Sequence, residues 1–359
     1  MKLEEVILYF LEQQFPFVSF RLPDDGNVTT WQGDCVRHKE LISITEALPA
    51  FVMHPFENNS EKGILALIPT WKGDGYEVSS QLPVHQQIAH RKLLPVKPYT
   101  VSEQEYMDGF STLIRAINRQ EVSKVVYSRV LPAVRNISPG KLYFKLLEKY
   151  PKAFVYLFSD GQGCCYTGAS PEKLLITSKN AAETVSLAGT RKLMSDENPE
   201  NPWTDKEYQE QAIVTEMIAK TLANSGITEV TTLGPSAHHA GPVMHLITTF
   251  TFSIPESIDH LNLAEALHPT PAVCGTPTYE AFQLIKRTEK HQRDYYTGFL
   301  GPVLDKQKMN LFVNLRCARF VDNECFIYVG GGITRGSDGA AEWKETENKA
   351  ATLLNLFES

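Results

Sequence analysis

The chain has no excess of positive charge. Its 35 lysines and arginines are outnumbered by 42 aspartates and glutamates, which gives a formal net charge of -7 and a pI near 5.8. Nucleic-acid binding needs a basic stripe or patch on the surface, and no basic run offsets the acid here. The composition therefore argues against a nucleic-acid partner.

Long apolar runs are also missing. No stretch approaches the roughly 18 residues that a membrane-spanning helix needs. The first residues, Met1 to Glu5, carry acid where a secretory signal peptide carries base. We therefore expect a soluble, cytoplasmic protein with no membrane partner, and a monomer in the absence of any signal for assembly.

Cysteine signatures are absent as well. The 6 cysteines form no C-x-x-C pair, and the adjacent Cys164 and Cys165 are unsuited to an ordinary disulfide or zinc site. We expect reduced thiols. Neither glycine-rich stretch, 187–190 or 330–332, matches a nucleotide-binding fingerprint, and no G-x-S-x-G elbow marks a serine nucleophile.

Helical and strand-like patterns alternate without a regular βαβ rhythm, which predicts an α+β fold. Residues 1–100 look irregular and carry no motif, and we expect them to be integrated into the fold of a catalytic region at 101–359. The sequence predicts helices at 3–13, 102–120, 141–149, 205–224, 279–290 and 341–357, and strands that include 122–134 and 309–321.

Lys124 lies in a valine-rich predicted strand, on the same face as Val122 and Val126 because strand side chains alternate. A lysine on an apolar face is costly unless it is paired, exposed or functional. Two interpretations stay open at this point. Lys124 either reaches solvent from an edge strand, or it is buried and serves as a base because desolvation lowers its pKa.

Five glutamates are candidates for acid or metal chemistry. Glu172 follows a proline at the start of a predicted strand. Glu207 and Glu210 are three apart on one predicted helix, and so are Glu342 and Glu345 on another, so each pair shares a helix face. Carboxylates on rigid helices suit a hard divalent cation, although solvated helix faces are commoner than metal sites.

Arg316 lies in the middle of the predicted strand 309–321, and arginine can grip a carboxylate through two hydrogen bonds. A structural ion pair is the alternative for this residue. His245 lies in an apolar run, where a hydrogen-bonded core histidine is the simpler interpretation. The glycine-rich stretches 187–190 and 330–332 form either tight turns or anion-binding nests.

These residues stand in motifs that, in this order, resemble the chorismate-utilising enzyme family. That family includes isochorismate, anthranilate, aminodeoxychorismate and salicylate synthases. The resemblance covers about seven-tenths of the chain, from Ser102 onward. The motifs are KVVYSRV, GASPEKLL, SLAGT, the helix around Glu210, HPTPAVCG, YYTGFLG, VNLRCARF, GGGIT and EWKETENKA.

The resemblance implies a two-lobed sandwich of antiparallel sheets flanked by helices, with the active site between the lobes. It also implies that chorismate is the substrate and Mg²⁺ the cofactor. The implied metal ligands are Glu210 and Glu345, flanked by Glu207 and Glu342. The implied substrate-binding residues are Gly189 and Thr190 at the ring carboxylate, Tyr296, Arg316 and the amides near Gly331 at the side-chain carboxylate, and His245 near the ring.

By the same resemblance, Lys124 is the water-activating base and Glu172 the general acid of an isochorismate-forming reaction. A salicylate-forming enzyme is the alternative. Ala188 stands where aminodeoxychorismate synthases carry a covalent lysine, and HPTPA at 268–272 differs from the aminating enzymes. The residues leave open whether the product feeds menaquinone, siderophore or salicylate synthesis.

Overall fold

The structure is a computed structural model that describes residues 1–58, 63–79, 81–83, 96–133, 137–192, 203–240, 243–322 and 324–357. Helices and antiparallel strands are both present, so the predicted α+β class is confirmed. Among the helices of the described ranges, none is long and apolar enough to cross a membrane.

Sixteen strands of the described residues form one antiparallel sheet. They are β1 (Phe17–Arg21), β2 (Thr29–His38), β3 (Ala50–His54), β4 (Ile64–Asp74), β5 (Lys124–Pro132), β6 (Phe154–Ser159), β7 (Cys165–Ser170), β8 (Lys173–Ser178), β9 (Ala181–Lys192), β10 (Val230–Ala240), β11 (Val243–Ser253), β12 (Gly275–Thr276), β13 (Phe299–Asp305), β14 (Lys308–Val313), β15 (Cys317–Val321) and β16 (Glu324–Thr334).

Six helices lie where the apolar periodicity predicts them, within two or three residues at each end. The helices of the described residues are α1 (Leu3–Glu12), α2 (Glu103–Asn118), α3 (Pro139–Lys149), α4 (Asp205–Asn224), α5 (His260–Leu267), α6 (Thr278–Thr288) and α7 (Gly339–Leu354), with a 3-10 helix at Leu41–Ala47. Of these, α5 and the 3-10 helix were not predicted. The sequence of α2 shows why a helix forms there. Ser102 and Glu105 form a capping box at its start, and Tyr106, Phe110 and Leu113 make the buried stripe.

The strand order is β10-β11-β9-β8-β14-β13-β3-β4-β2-β1-β6-β7-β15-β16-β5-β12. The sheet folds over on itself, and an aromatic core fills the space between its two halves. Phe154 of β6 and Phe312 of β14 stack there with ring centroids 4.3 Å apart. The helices cover the outer faces, α4 and α5 on one half and α1, α3 and α7 on the other. This is the layered arrangement that the family resemblance implies.

Two details of the predicted secondary structure are wrong. The first hundred residues are not irregular, because they supply β1 to β4 in the middle of the sheet. The predicted strand 309–321 is two strands, β14 and β15, separated at Asn314–Arg316. Arg316 has a φ of 48°, a left-handed conformation that a β-strand does not allow, so it is not in mid-strand.

Candidate active site

One cavity of about 520 Å³ lies between the two ends of the folded sheet and is covered by α4 and α7. Its wall brings together residues that are far apart in the sequence. Of the predicted site residues it includes Lys124, Glu172, Gly189, Glu207, Glu210, His245, Tyr296, Arg316, Glu342 and Glu345. Gly331 lies between two wall residues, Gly330 and Gly332. The side chain of Thr190 lies outside the described residues.

Lys124 is the first residue of β5 and is 3% exposed, so the interpretation as a solvent-reaching lysine is wrong. Its stem lies against Gly332 of the neighbouring β16: a Cβ at Gly332 would stand 2.9 Å from Lys124 Cε and 3.6 Å from Nζ. Burial lowers the pKa of Lys124, and the carboxylates of Glu210, Glu172 and Glu345 act against that shift. A larger fraction of this amine is therefore neutral, and able to accept a proton, near neutral pH than in an exposed lysine.

Glu172 lies immediately before β8 and is 2% exposed. Its backbone is fixed on both sides. Its N–H donates to Ser170 Oγ at 3.3 Å, and its carbonyl accepts from the Val313 N–H at 3.0 Å. The Thr270 hydroxyl donates to Oε1 at 3.4 Å. Burial raises the pKa of Glu172 to about 8, against the smaller effects of Thr270 and Lys124. The carboxyl group therefore carries a proton at neutral pH.

Gly189 is the extra residue of a β-bulge in β9, where the pairing with β11 shifts between His245 and Leu246. Its φ is 61°, and a Cβ there would stand 3.0 Å from Glu207 Cβ. Glycine is thus required both by conformation and by the close approach of α4. The backbone of Thr190 pairs with His245 directly after this bulge.

Gln211 fixes α4 against the sheet. Its Oε1 accepts from the Ala188 N–H at 2.9 Å, and its Nε2 donates to Ser186 O, Ser186 Oγ and Thr248 Oγ1 at 2.7 to 3.1 Å. The neighbouring Glu210 lies on the cavity wall. Glu207 has a structural role in addition, since its carboxylate accepts from Thr204 N–H at 2.7 Å in the capping box that begins α4.

Glu342 and Glu345 come from α7, one turn apart. Glu342 is 4% exposed and accepts from Ser337 Oγ at 2.7 Å. Glu345 Oε1 lies 2.7 Å from Lys349 Nζ, and that ammonium also donates to the Gly330 carbonyl at 2.9 Å. Both carboxylates face Gly331. A Cβ on Gly331 would stand 3.0 Å from Glu342 Oε2 and 3.8 Å from Glu345 Oε1.

The carboxylates of Glu210 and Glu345 are of the kind that a hard divalent cation binds. The described residues contain no cluster of three or more His, Cys, Asp or Glu side chains with metal-ligand spacing. Mg²⁺ does not require such a cluster, because it takes one or two protein carboxylates and completes its shell with water and substrate oxygens. Glu210 and Glu345 line the same cavity, and the bare backbone at Gly331 leaves space beside Glu345.

Arg316, His245 and Tyr296 form another part of the wall. The Arg316 guanidinium donates from Nη2 to His245 Nε2 at 3.1 Å. Burial, together with this cation, lowers the pKa of His245 to about 3, so the imidazole is neutral and can accept that bond. Tyr296 is 3% exposed, and its hydroxyl passes close to Gly330. The left-handed backbone at Arg316 turns its side chain away from the strand direction and toward the cavity.

Several functional-looking residues escaped the sequence reasoning. Thr270 lies in the motif HPTPA, which gave it no role of its own, yet it contacts Glu172. Lys349 carried a usable signal, since it follows Glu345 by four residues in a predicted helix. Gln211 carried none, because a glutamine among helix residues is usually solvated. Glu289 and Arg293, which form a buried ion pair, carried no sequence signal either.

Comparisons with known proteins identify the relatives of this chain. The family model for chorismate binding enzymes matches residues 50–355. Isochorismate synthase EntC of Escherichia coli K12 is 29% identical over 66% of this chain and 63% of its own length. Isochorismate synthase MenF of the same strain is 31% identical over 74% and 59%. Anthranilate synthase component 1 of Aquifex aeolicus is 26% identical over 72% and 53%.

Solved structures extend the likeness to almost the whole chain. DhbC from Bacillus anthracis superposes with a TM-score of 0.78 at 26% identity, covering 99% of this chain and 100% of that one. MenF, the menaquinone-specific isochorismate synthase from Escherichia coli, has the same fold, with a TM-score of 0.80 at 21% identity over 96% and 89%. The matched segments span at most 63% of the curated relatives named above. The family model nevertheless covers most of this chain, which therefore belongs to the chorismate binding enzyme family.

Proposed function

We propose that the protein is an isochorismate synthase, an isomerase that interconverts chorismate and isochorismate with the help of Mg²⁺. One observation carries this proposal. Lys124 and Glu172 are buried in the wall of one cavity, and burial shifts their pKa values in opposite directions. Two groups displaced in this way are what a reaction with both a base and an acid requires.

Lys124 acts as the base. The neutral amine removes a proton from a water molecule, whose oxygen forms a bond to ring carbon C2 as the two ring double bonds shift. The C4–oxygen bond breaks, and Glu172 donates its proton to the leaving hydroxyl, which departs as water. Lys124 is then protonated and Glu172 ionised, so transfer of one proton between them restores the enzyme. Each group supplies a rate factor on the order of 10²–10⁴.

Glu210 and Glu345 are the proposed ligands of the cation. When bound, Mg²⁺ neutralises a substrate carboxylate and orients the ring. This neutralisation matters because the cavity wall already carries the carboxylates of Glu207 and Glu342. A dicarboxylate substrate would otherwise be repelled from an acidic site. Gly189 and Thr190 are proposed to line the place of the ring carboxylate.

Arg316 and Tyr296 are proposed to bind the carboxylate of the enolpyruvyl side chain, together with backbone amides near Gly331. The guanidinium suits a carboxylate because it can donate two parallel hydrogen bonds. Since the pKa of His245 is lowered to about 3, this residue is proposed to position Arg316 and the ring rather than to exchange a proton. The names of EntC and MenF, both isochorismate synthases, support this choice among the family's reactions.

The deciding experiment is incubation of the purified protein with chorismate and Mg²⁺, followed by separation of the products. We expect an equilibrium mixture of chorismate and isochorismate without pyruvate. Salicylate with equimolar pyruvate would show a salicylate synthase instead, and anthranilate formed with ammonium would show an aminating enzyme. Unchanged chorismate under all these conditions would refute the proposal.

A further inference from the structure

Glu289 and Arg293 form an ion pair behind the cavity, and neither reaches its wall. Arg293 Nη2 lies 2.6 Å from Glu289 Oε1, and its Nε donates to Oε2 at 2.8 Å, so the contact is two-pronged. Both side chains are 2% exposed. Burying two charges is expensive and is offset only when further hydrogen bonds satisfy the remaining donors and acceptors. Those further bonds indicate what the pair does.

All five N–H donors of the Arg293 guanidinium are used. Besides the two bonds to Glu289, Nη2 donates to the Val126 carbonyl at 2.8 Å, and Nη1 donates to the Val273 carbonyl at 2.7 Å and to Thr297 Oγ1 at 3.2 Å. Val126, Val273 and Thr297 all line the cavity. One side chain behind the wall therefore joins three separate segments of that wall.

Each of these segments carries a residue of the proposed reaction. Val126 is two residues beyond Lys124 on the same face of β5. Val273 closes the turn that begins at Thr270, through a hydrogen bond of 3.1 Å, and Thr270 contacts Glu172. Thr297 follows Tyr296 and donates to its carbonyl.

Regular secondary structure provides only part of these links. β12, which is two residues long, pairs with β5, and the Val126 N–H donates to the Cys274 carbonyl at 2.8 Å, but residues 289–298 belong to no helix or strand. Glu289, the other member of the ion pair, accepts at Oε1 from both the N–H and the hydroxyl of Ser128, at 2.8 Å each. The pair thus grips β5 at Val126 and again at Ser128.

We propose that Arg293, held by Glu289, is a positioning residue that sets the distance between the base Lys124 and the acid Glu172 without touching the substrate. The inference rests on the function proposed above. Lysine cannot replace this arginine, since its ammonium is a single point and cannot span a carboxylate, two carbonyls and a hydroxyl in one plane. A displacement of about 1 Å at reacting groups costs about 100-fold in rate.

The test compares Arg293→Lys with Arg319→Lys. Arg319 is a second buried arginine, which pairs with Asp294 at 2.9 Å with both side chains at most 8% exposed. Its contact with the cavity wall is to the side chain of Tyr328, so it does not join backbone segments of the wall as Arg293 does. Both variants should lose thermal stability. Only Arg293→Lys should lower kcat by about 100-fold, leave KM for chorismate nearly unchanged, and move the apparent pKa values of the kcat/KM profile.

Equal effects of the two substitutions on kcat and on the pH profile would overturn the inference. Should Arg293→Lys not fold, Glu289→Gln is the second variant. It keeps the volume but presents an amide to the donors of Arg293 and Ser128, and the same loss in kcat is expected.

Hydrogen exchange gives a readout that needs no turnover. Arg293→Lys should expose the amides of 124–128 and 270–276, whereas Arg319→Lys should not, so this result stands even if the wild type makes no isochorismate.

Discussion

The stem of Lys124 occupies the space that a side chain on Gly332 would need. The two residues lie on adjacent strands, and a Cβ on Gly332 would stand 2.9 Å from Lys124 Cε. Ordinary van der Waals contact begins near 3.5 Å, so even one methyl group must push the lysine aside.

Gly332→Ala should therefore lower kcat by up to about 100-fold with little change in chorismate affinity, because the amine moves away from the water it activates. Steady-state kinetics and equilibrium binding measure the two effects. The matched control is Gly26→Ala, since a Cβ at Gly26 meets nothing within 4 Å. Unchanged kcat in the Gly332 variant would mean that Lys124 is not the base.

Removing either proton-transfer group should abolish turnover while the fold stays intact. Lys124→Ala and Glu172→Gln are each expected to reduce kcat by about 10²–10⁴-fold, with circular dichroism like that of the wild type. Lys97→Ala is the control, because this lysine is half exposed in a surface pair with Glu324. A variant of Lys124 or Glu172 with near-wild-type kcat would disprove the role given to that residue.

The pH dependence of kcat/KM should be bell-shaped. The active pair holds one proton, on Glu172, while Lys124 is neutral. At low pH both groups are protonated and the base is lost; at high pH both are deprotonated and the acid is lost. Since the pKa of Glu172 is raised to about 8, the alkaline limb should lie at or above that pH. A decline of kcat/KM that begins near pH 5 on raising the pH would contradict an acid buried in this way.

Chelation should stop the reaction and Mg²⁺ should restore it. Glu210→Gln and Glu345→Gln are each expected to raise the Mg²⁺ concentration needed for half-maximal rate, because each removes a charged oxygen ligand. A Mg²⁺ titration of the initial rate measures this, with Glu216→Gln, farther along α4, as the control for lost charge. Full activity in excess EDTA would remove both glutamates from the proposed ligand set.

Gln211→Leu should destabilise the protein and weaken the metal site together. Leucine leaves the buried Ala188 N–H without its acceptor, which costs about 1–3 kcal/mol in the free energy of unfolding. Urea denaturation measures that loss, and the Mg²⁺ titration should show weaker binding, since Glu210 is the next residue of α4. Gln209→Leu, on the exposed side of the same helix, should change neither quantity.

Sequence patterns predicted those parts of the molecule that depend on local repetition. The bounds of α4 match at Asp205 and Asn224, and the alternation in β5 placed Lys124 on the face that now lines the cavity. Burial of Lys124 was undecidable from the strand alone, because it depends on α4 and α7, which come from distant parts of the chain. The roles in the site came from motif resemblance and stay predictions until tested.

The break at Arg316 shows why other features were missed. Its neighbours are apolar enough to continue a strand, and no glycine or proline marks the left-handed turn. At the break, the backbone of Asn314 bonds to Thr297 and Gly298. Its side chain donates to the Tyr295 carbonyl at 2.8 Å and accepts from the Tyr156 hydroxyl at 2.7 Å. Such long-range bonds leave no periodic trace in a sequence.

The central position of β1 to β4 has a consequence for how the two halves of the sheet are held together. These strands carry none of the proposed site residues, yet they are the span that connects the half of the sheet holding Glu172 and Gly189 to the half holding Lys124. They contribute backbone pairing and also much of the apolar core between the two halves, through Val18, Phe20, Trp31, Phe51, Met53, Leu65 and Leu67. We expect a variant without β1 to β4 to retain every proposed reactive group but to lose the middle of the sheet and the core packed against it.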